Sequence, residues 1–241
     1  MRTQRAEDVV DQRPVLVGVG RRAQLDEGDL HISIFAGHSS LRQGEGVAVS
    51  PTAQPTVPPY DVLVLAGGAS RRFGADKLVA RVEGQALLDR VLAAASGGHQ
   101  VCAVGPRRPT VRPVTWIRED PPGGGPAAAV VAGLRAGDTP YVALLAGDLP
   151  YVTRETVDRL AVALAESPAR DGALLVDGDG RAQYLCSVWH RAALDGAAAR
   201  SPDWDGVALR RLLEPLHARQ VAARGRESHD VDRPEDLPSD T

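Results

Sequence analysis

Cysteine is nearly missing from this chain. Only Cys102 and Cys186 occur among its 241 residues, without metal-ligand spacing, so neither a disulfide scaffold nor a cysteine zinc site is supported. Both read as buried small hydrophobes. The six histidines, His31, His38, His99, His190, His217 and His229, are scattered and complete no metal motif. Aromatic residues make up 4%, so aliphatic side chains and alanine must fill any core. No sign of charge prevails: 28 Lys and Arg against 31 Asp and Glu leave −3. With pI near 6.1, that balance argues against general nucleic-acid or membrane-surface binding. No apolar run approaches bilayer length and the amino end shows no signal-peptide pattern. The expectation is a cytoplasmic protein. Apolar residues, by contrast, reach 43%, and the length suits one α/β domain with or without an appendage.

The rest of the chain is organised around the stretch from Asp61 to Lys77. Val62, Leu63, Val64 and Leu65 form a short apolar run with the look of a buried parallel strand. Ala66, Gly67 and Gly68 then open a loop whose backbone can approach a bulky anion, its successive N–H groups forming a concavity for phosphate. Arg71, Arg72 and Lys77 add positive charge beside it. Together they read as a polyphosphate cradle at the carboxyl end of a sheet strand. The bland alternative is a strand-to-helix turn with solvated arginines. Two better-known phosphate loops are excluded. A P-loop needs Lys directly after its last glycine and then Ser or Thr, whereas Gly74 is followed by Ala75, Asp76 and Lys77. A dinucleotide fingerprint needs G-x-G-x-x-G, which Gly67-Gly68 does not supply. Val15 to Ala23 does spell G-x-G-x-x-A, but too little chain follows for a working βαβ unit.

Farther on, Tyr141 to Ala146 is the most strand-like run, ending at Gly147-Asp148-Leu149-Pro150. A carboxylate at the carboxyl end of a buried strand faces the same crevice as the glycine loop. Magnesium takes one or two protein carboxylates and completes its shell with phosphate and water, so Asp148 is the expected metal ligand. Thr153 is the better cap for the next helix, which leaves Asp148 clear of that role. Leu78 to Val82 reads as a short strand, Leu87 to Ala95 as a helix, and Val101 to Val104 and Val114 to Ile117 as strands. The Pro121-Pro-Gly-Gly-Gly-Pro126 loop precedes an alanine-rich helix from about Ala127 to Ala136, whose amino end favours negative charge. Gly172 to Val176 and Ala182 to Val188 read as strands around an Asp177-Gly-Asp-Gly180 turn, and Val207 to Leu216 as a helix.

The run Leu65-Ala-Gly-Gly-Ala-Ser-Arg-Arg-Phe-Gly-Ala-Asp-Lys77 closely resembles the L-A-G-G-x-S-x-R-M-G-x-D-K signature of the molybdenum cofactor guanylyltransferases, with Phe73 in place of Met. Those belong to the wider class of α/β nucleotidyltransferases. The acidic residue, glycine-rich stretch and Gly125-Pro126-Ala127 also resemble that family, as does the tail from Ser228 to Leu237. The resemblance implies a three-layer α/β/α sandwich with a mostly parallel, Rossmann-like sheet over residues 60–241. Residues 1–59 are left as a weakly ordered extension with a proline-rich linker.

For the site, the resemblance implies that Leu65, Ala66, Gly67, Gly68 and Asp120 line the nucleotide. Lys77 and Arg72 would stabilise its phosphates, and Asp148 would hold Mg2+. Asp230 or Asp232 would offer a second carboxylate, against a plain role in starting the helix at Pro234. The implied reaction transfers GMP from GTP to molybdopterin carrying molybdenum, with contacts to other cofactor-biosynthesis or molybdoenzyme proteins as a further expectation. The alternatives are a CTP-using relative, a sugar-phosphate acceptor, or a non-catalytic nucleotide-binding adaptor.

Overall fold

The computed structural model describes residues 56–68 and 73–237. The G-x-G-x-x-A fragment and all of the expected extension before residue 56 lie outside the described residues, as do Arg71, Arg72 and residues 238–241.

The first strand, β1, is Tyr60–Leu65, and all six of its residues are buried. Full burial on both faces suits a central strand of a parallel sheet. The Leu78 to Val82 stretch departs from expectation. Asp76 turns its carboxylate onto the Leu78 N–H and caps a 3-10 turn at Lys77–Val79, so only β2, Arg81–Val82, is extended. It pairs with β3, Gln85–Ala86, in a two-stranded ribbon. Helix α1, Leu87–Ala94, and the strands β4, Val101–Val104, and β5, Thr115–Ile117, follow as expected. Helix α2, Gly125–Gly133, starts two residues earlier than the alanine run suggests, with Pro126 in its first turn where a missing N–H is harmless. Then come β6, Tyr141–Ala146, and α3, Arg154–Ala165. The α3 cap is reciprocal: Thr153 Oγ accepts from Thr156 N–H, and the Thr156 hydroxyl accepts from Thr153 N–H.

The carboxyl half holds β7, Gly172–Val176, and β8, Ala182–His190, joined by a turn in which Asp177 Oδ1 accepts from the N–H groups of Asp179 and Arg181. Turn chemistry explains that aspartate pair. Helix α4, Arg191–Ala198, begins directly at the end of β8, and α5 is shorter than expected at Leu209–Leu213. A last strand, β9, Ala218–Ala222, pairs with β7.

The seven-stranded sheet runs β5-β4-β1-β6-β8-β7-β9. Every neighbouring pair is parallel except the two that involve β8. Alternation along β1 sends Tyr60, Val62 and Val64 into one core with α1 and α3. Leu63 and Leu65 enter a second core with α2, α4 and α5. The result is three layers, as expected, each core mostly aliphatic. Cys102 and Cys186 are buried free thiols, and burial pushes Cys186 up to about 12.

This order places the switch in chain direction at β1. From β1 the chain runs out to β4 and β5, then returns to β6 on the other side. Open α/β sheets bind ligands at such a point, beyond the carboxyl ends of the strands.

Candidate active site

The register aligns Leu65 with Ala146, so the loops after β1 and β6 leave the sheet side by side. The Gly147 N–H donates to the Leu65 carbonyl at 3.0 Å and ties them together. Gly68 has φ +107, a conformation that a side chain would strain, and a Cβ there would meet nothing within 4 Å. The loop is thus bare and open on its outer side. Leu65, Gly67, Gly68, Lys77, Gly147 and Asp148 all line one cavity of about 490 Å³.

Lys77 and Asp148 are far apart in sequence yet meet directly, with Lys77 Nζ 2.5 Å from Asp148 Oδ2. The tail joins them. Lys77 Nζ donates to the Val231 carbonyl at 3.0 Å and lies 3.6 Å from Asp232 Oδ1. The Val231 N–H donates to the Asp148 carbonyl at 3.2 Å. Val231 itself is fully buried with Val82 and Leu87, while Phe73 and Leu237 pack against them. One apolar side chain therefore seats the tail against both charged residues. The tail thus places Asp232 and Asp230 in the field of Lys77 and Asp148, and a helical turn does start at Pro234. A 3-10 turn covers Pro234–Asp236, capped by the Asp236 carboxylate on the N–H groups of Asp232 and Arg233.

The electrostatics follow from this crowding. Burial alone would lower the Lys77 ammonium, but the Asp148 ion pair and the fields of Asp232 and Asp230 outweigh it and hold it above its ordinary value. Asp230 is raised as well, which for a carboxylate disfavours the charge: burial, Asp148 and Asp232 raise it, against the opposing pull of Lys77.

Two residues at the site were not foreseen. Prolines at 106, 109 and 113 give the loop after β4 a surface composition, yet Arg108 folds back from it and is buried. Its Nε donates to Asp76 Oδ2 at 2.6 Å and its Nη1 to the carbonyls of Ala66 and Pro106. It thereby joins the glycine loop to the residue just before Lys77. Just after β5, Asp120 is exposed and is not among the cavity-lining residues, whereas Glu119 lines the cavity and is 7% exposed. Glu119 Oε1 accepts from the Gly123 N–H at 2.9 Å. Its Oε2 is buried with no hydrogen-bond partner.

A MobA-like NTP transferase domain matches residues 62–222, from the first strand through the last. This chain belongs to that family. A probable molybdenum cofactor guanylyltransferase of Synechococcus elongatus is 38% identical over 95 residues, which is 36% of this chain and 49% of the relative. The chain thus spans about half the length of that relative. A protein of the same description from Mycobacterium tuberculosis is 33% identical over 147 residues, 58% of this chain and 73% of that one. Among solved structures, the Archaeoglobus fulgidus molybdopterin-guanine dinucleotide biosynthesis protein A superposes with TM-score 0.58 at 22% identity, covering 73% of this chain and 94% of that chain. The 2-C-methyl-D-erythritol 4-phosphate cytidylyltransferase of Thermus thermophilus gives 0.54 at 20% identity, covering 74% and 95%. At such identities these two establish the fold, a nucleotidyltransferase α/β sandwich, and nothing finer.

Within this MobA-like domain the donor set fits a hard divalent cation. Among the described residues no group of three or more His, Cys, Asp or Glu is arranged to hold a metal by itself. Magnesium asks for less, one or two carboxylates with phosphate oxygens and water making up the rest. Asp148, with Asp232 or Asp230 beside it, is such a set, and the Lys77 ammonium already occupies its negative field. Arg72, the other expected phosphate ligand, lies outside the described residues.

Proposed function

We propose that this chain transfers GMP from GTP to the terminal phosphate of molybdenum-bearing molybdopterin, giving a guanine dinucleotide form of that cofactor. One observation carries the reading. A lysine following the first strand's glycine loop and an aspartate at the end of a neighbouring strand meet at 2.5 Å in one cavity of about 490 Å³. That is within the usual volume of a small-molecule site.

In this reading an oxygen of the acceptor phosphate forms a bond to the α-phosphorus of GTP. The bond from that phosphorus to the bridging oxygen breaks, and its electron pair leaves with pyrophosphate. The acceptor oxygen is already anionic near neutral pH, so the protein need not remove a proton. Its work is positioning and charge neutralisation. The backbone N–H groups of Gly67 and Gly68 face the triphosphate. Lys77, together with Arg72, meets the oxygens that gain charge as pyrophosphate departs, and Arg108 keeps the two halves of the cradle in register. Asp148, with Asp232 or Asp230, would hold Mg2+, which when bound offsets triphosphate charge.

The test is pyrophosphate release from a panel of triphosphates with magnesium. The expected result is release from GTP only when molybdopterin is the acceptor. Release from CTP in its place would overturn the guanine assignment. Turnover with a sugar phosphate would overturn the acceptor, and tight nucleotide binding with no release under any pairing would leave an adaptor.

A further inference from the structure

We infer that Glu227 is a positioning residue for the metal site: its carboxylate fixes the two chain segments that supply Asp148 and the tail aspartates, and so sets the spacing between them. The inference rests on the reading above, in which Asp148 with Asp232 or Asp230 holds Mg2+. Glu227 is not itself among the cavity-lining residues.

The carboxylates come from separate places. Asp148 stands in the loop between β6 and α3, whereas Asp230 and Asp232 stand in the tail after β9. Val231 seats the far end of that tail, with its N–H on the Asp148 carbonyl at 3.2 Å. That bond is at the long end of the usual range. A segment held at one point can still pivot about it, so the tail needs a second anchor if its aspartates are to keep one position. Glu227 is that anchor, and Asp230 lies between the two.

The carboxylate of Glu227 is filled from three directions. Oε1 accepts from the Thr156 hydroxyl at 2.7 Å, and Oε2 from Arg159 Nη2 at 2.5 Å and the Arg224 N–H at 2.7 Å. Arg159 Nη1 also donates to the Ala222 carbonyl at 3.2 Å, so one guanidinium of α3 holds the tail both where it leaves β9 and where it turns.

The same carboxylate reaches the Asp148 loop through the cap of α3. The Thr156 hydroxyl accepts from the Thr153 N–H at 3.2 Å and lies 3.0 Å from Thr153 Oγ. A carboxylate only accepts, so the single Thr156 proton is committed to Glu227, and in the hydroxyl pair Thr153 must be the donor. Glu227 thereby orients both hydroxyls of the cap that closes the loop carrying Asp148. Arg226 adds a second tie between tail and loop, its guanidinium 4.0 Å from the centroid of the Tyr151 ring. One half-buried carboxylate thus registers both suppliers of the metal carboxylates against α3.

The experiment compares full-length wild type with Glu227→Ala, Glu227→Gln and Tyr60→Phe, each at a temperature where it is folded. Mn2+ is the probe, its free fraction counted by electron spin resonance. Amide exchange at Val231 reports the tail with no metal present. Glu227→Ala should bind Mn2+ about 10-fold more weakly, the low end of the loss when a group that orients metal ligands is removed. Its Val231 amide should exchange faster relative to the amides of β1. Glu227→Gln keeps a carbonyl for Thr156 but turns an amide N–H toward Arg159, so its loss should fall between wild type and Glu227→Ala; it also carries the test if the alanine variant does not fold. Tyr60→Phe breaks the 2.6 Å bond to Asp158 on the same helix, which does not involve the tail, and should leave both readouts unchanged. Either Glu227 variant, folded and with wild-type Mn2+ affinity, overturns the inference. So does Tyr60→Phe matching Glu227→Ala in both readouts, since the loss would then be a general loosening of α3. Wild type that takes up no Mn2+ sinks the metal reading and this role with it, a failure told apart by a Val231 amide that still exchanges faster in Glu227→Ala.

Discussion

Lys77 is held between opposing demands. It is half-buried, which disfavours charge, and it is surrounded by Asp148, Asp232 and Asp230, which enforce it. Such a residue is a fixed cation at neutral pH, suited to an anion that arrives with its own counter-charge. Lys77→Ala should lower turnover by about 10²- to 10³-fold, roughly 3–4 kcal/mol, the loss on deleting one preorganised donor to developing charge. Steady-state kinetics checks it, and an undiminished kcat would remove Lys77 from the machinery. At this scale the sequence was informative only where function and neighbourhood coincide. Lys77 follows its glycine loop closely, and Asp148 ends a strand anyone would mark as buried. Arg108 and Glu119 escaped. Arg108 acts on Ala66 and Asp76 from a proline-rich loop that looks like surface. Which of two adjacent acids, Glu119 or Asp120, turns inward depends on how β5 ends, and composition does not record it.

Among the elements, the strands and their order of appearance follow from apolar runs, and the Thr153 cap from side-chain chemistry. Besides the two-residue β3, two elements went unmarked. Helix α4 starts with no break after β8, and the exposed and half-buried pattern of β9 lacks the apolar run that marks a core strand. Their placement is tertiary. One clasp shows how: Asp61, at the start of β1 and 1% exposed, accepts from Arg191 Nη2 at 2.7 Å. It also accepts from the backbone N–H groups of Thr139 and Gln100. The base of β1, the entry to β6 and the first residue of α4 are thereby joined at the end of the sheet opposite the cavity. Asp61→Ala removes the carboxylate that meets Arg191 Nη2 and two backbone N–H groups, leaving the guanidinium charge held by carbonyls alone, and should destabilise the fold by about 3–5 kcal/mol. Urea denaturation measures this directly. Nucleotide affinity of the folded fraction should be unchanged, because the clasp and the cavity are at opposite ends of β1.

For the molecule as a whole, the apolar runs and helical spacing marked separate strands and helices, and the three layers were legible through the resemblance that the glycine-loop signature carries. The sheet order was not, since parallel pairing across long separations leaves no local trace. Long-range pairs also set the response to acid. Glu227, in the stretch after β9, pairs with Arg159 at 2.5 Å and accepts from the Thr156 hydroxyl and the Arg224 N–H. Burial pushes its carboxyl up, but these partners outweigh burial and hold it below the ordinary 4.5. A folded value below the unfolded one means stability that is present above about 4.5 and is lost as pH falls through the lower, folded value. Glu227→Gln should therefore melt below wild type near neutral pH, and the gap should close as pH drops through that window. A gap that stays constant from about pH 6 to about pH 3 would show that the ion pair is not its source.

The buried Val231 has a broader consequence. Its carbonyl and its N–H hold the lysine and the aspartate together, so those two are spaced by a segment that folds back from far along the chain. Trimming, tagging or proteolysis near that segment would be felt at the floor of the cleft before it was felt anywhere in the scaffold.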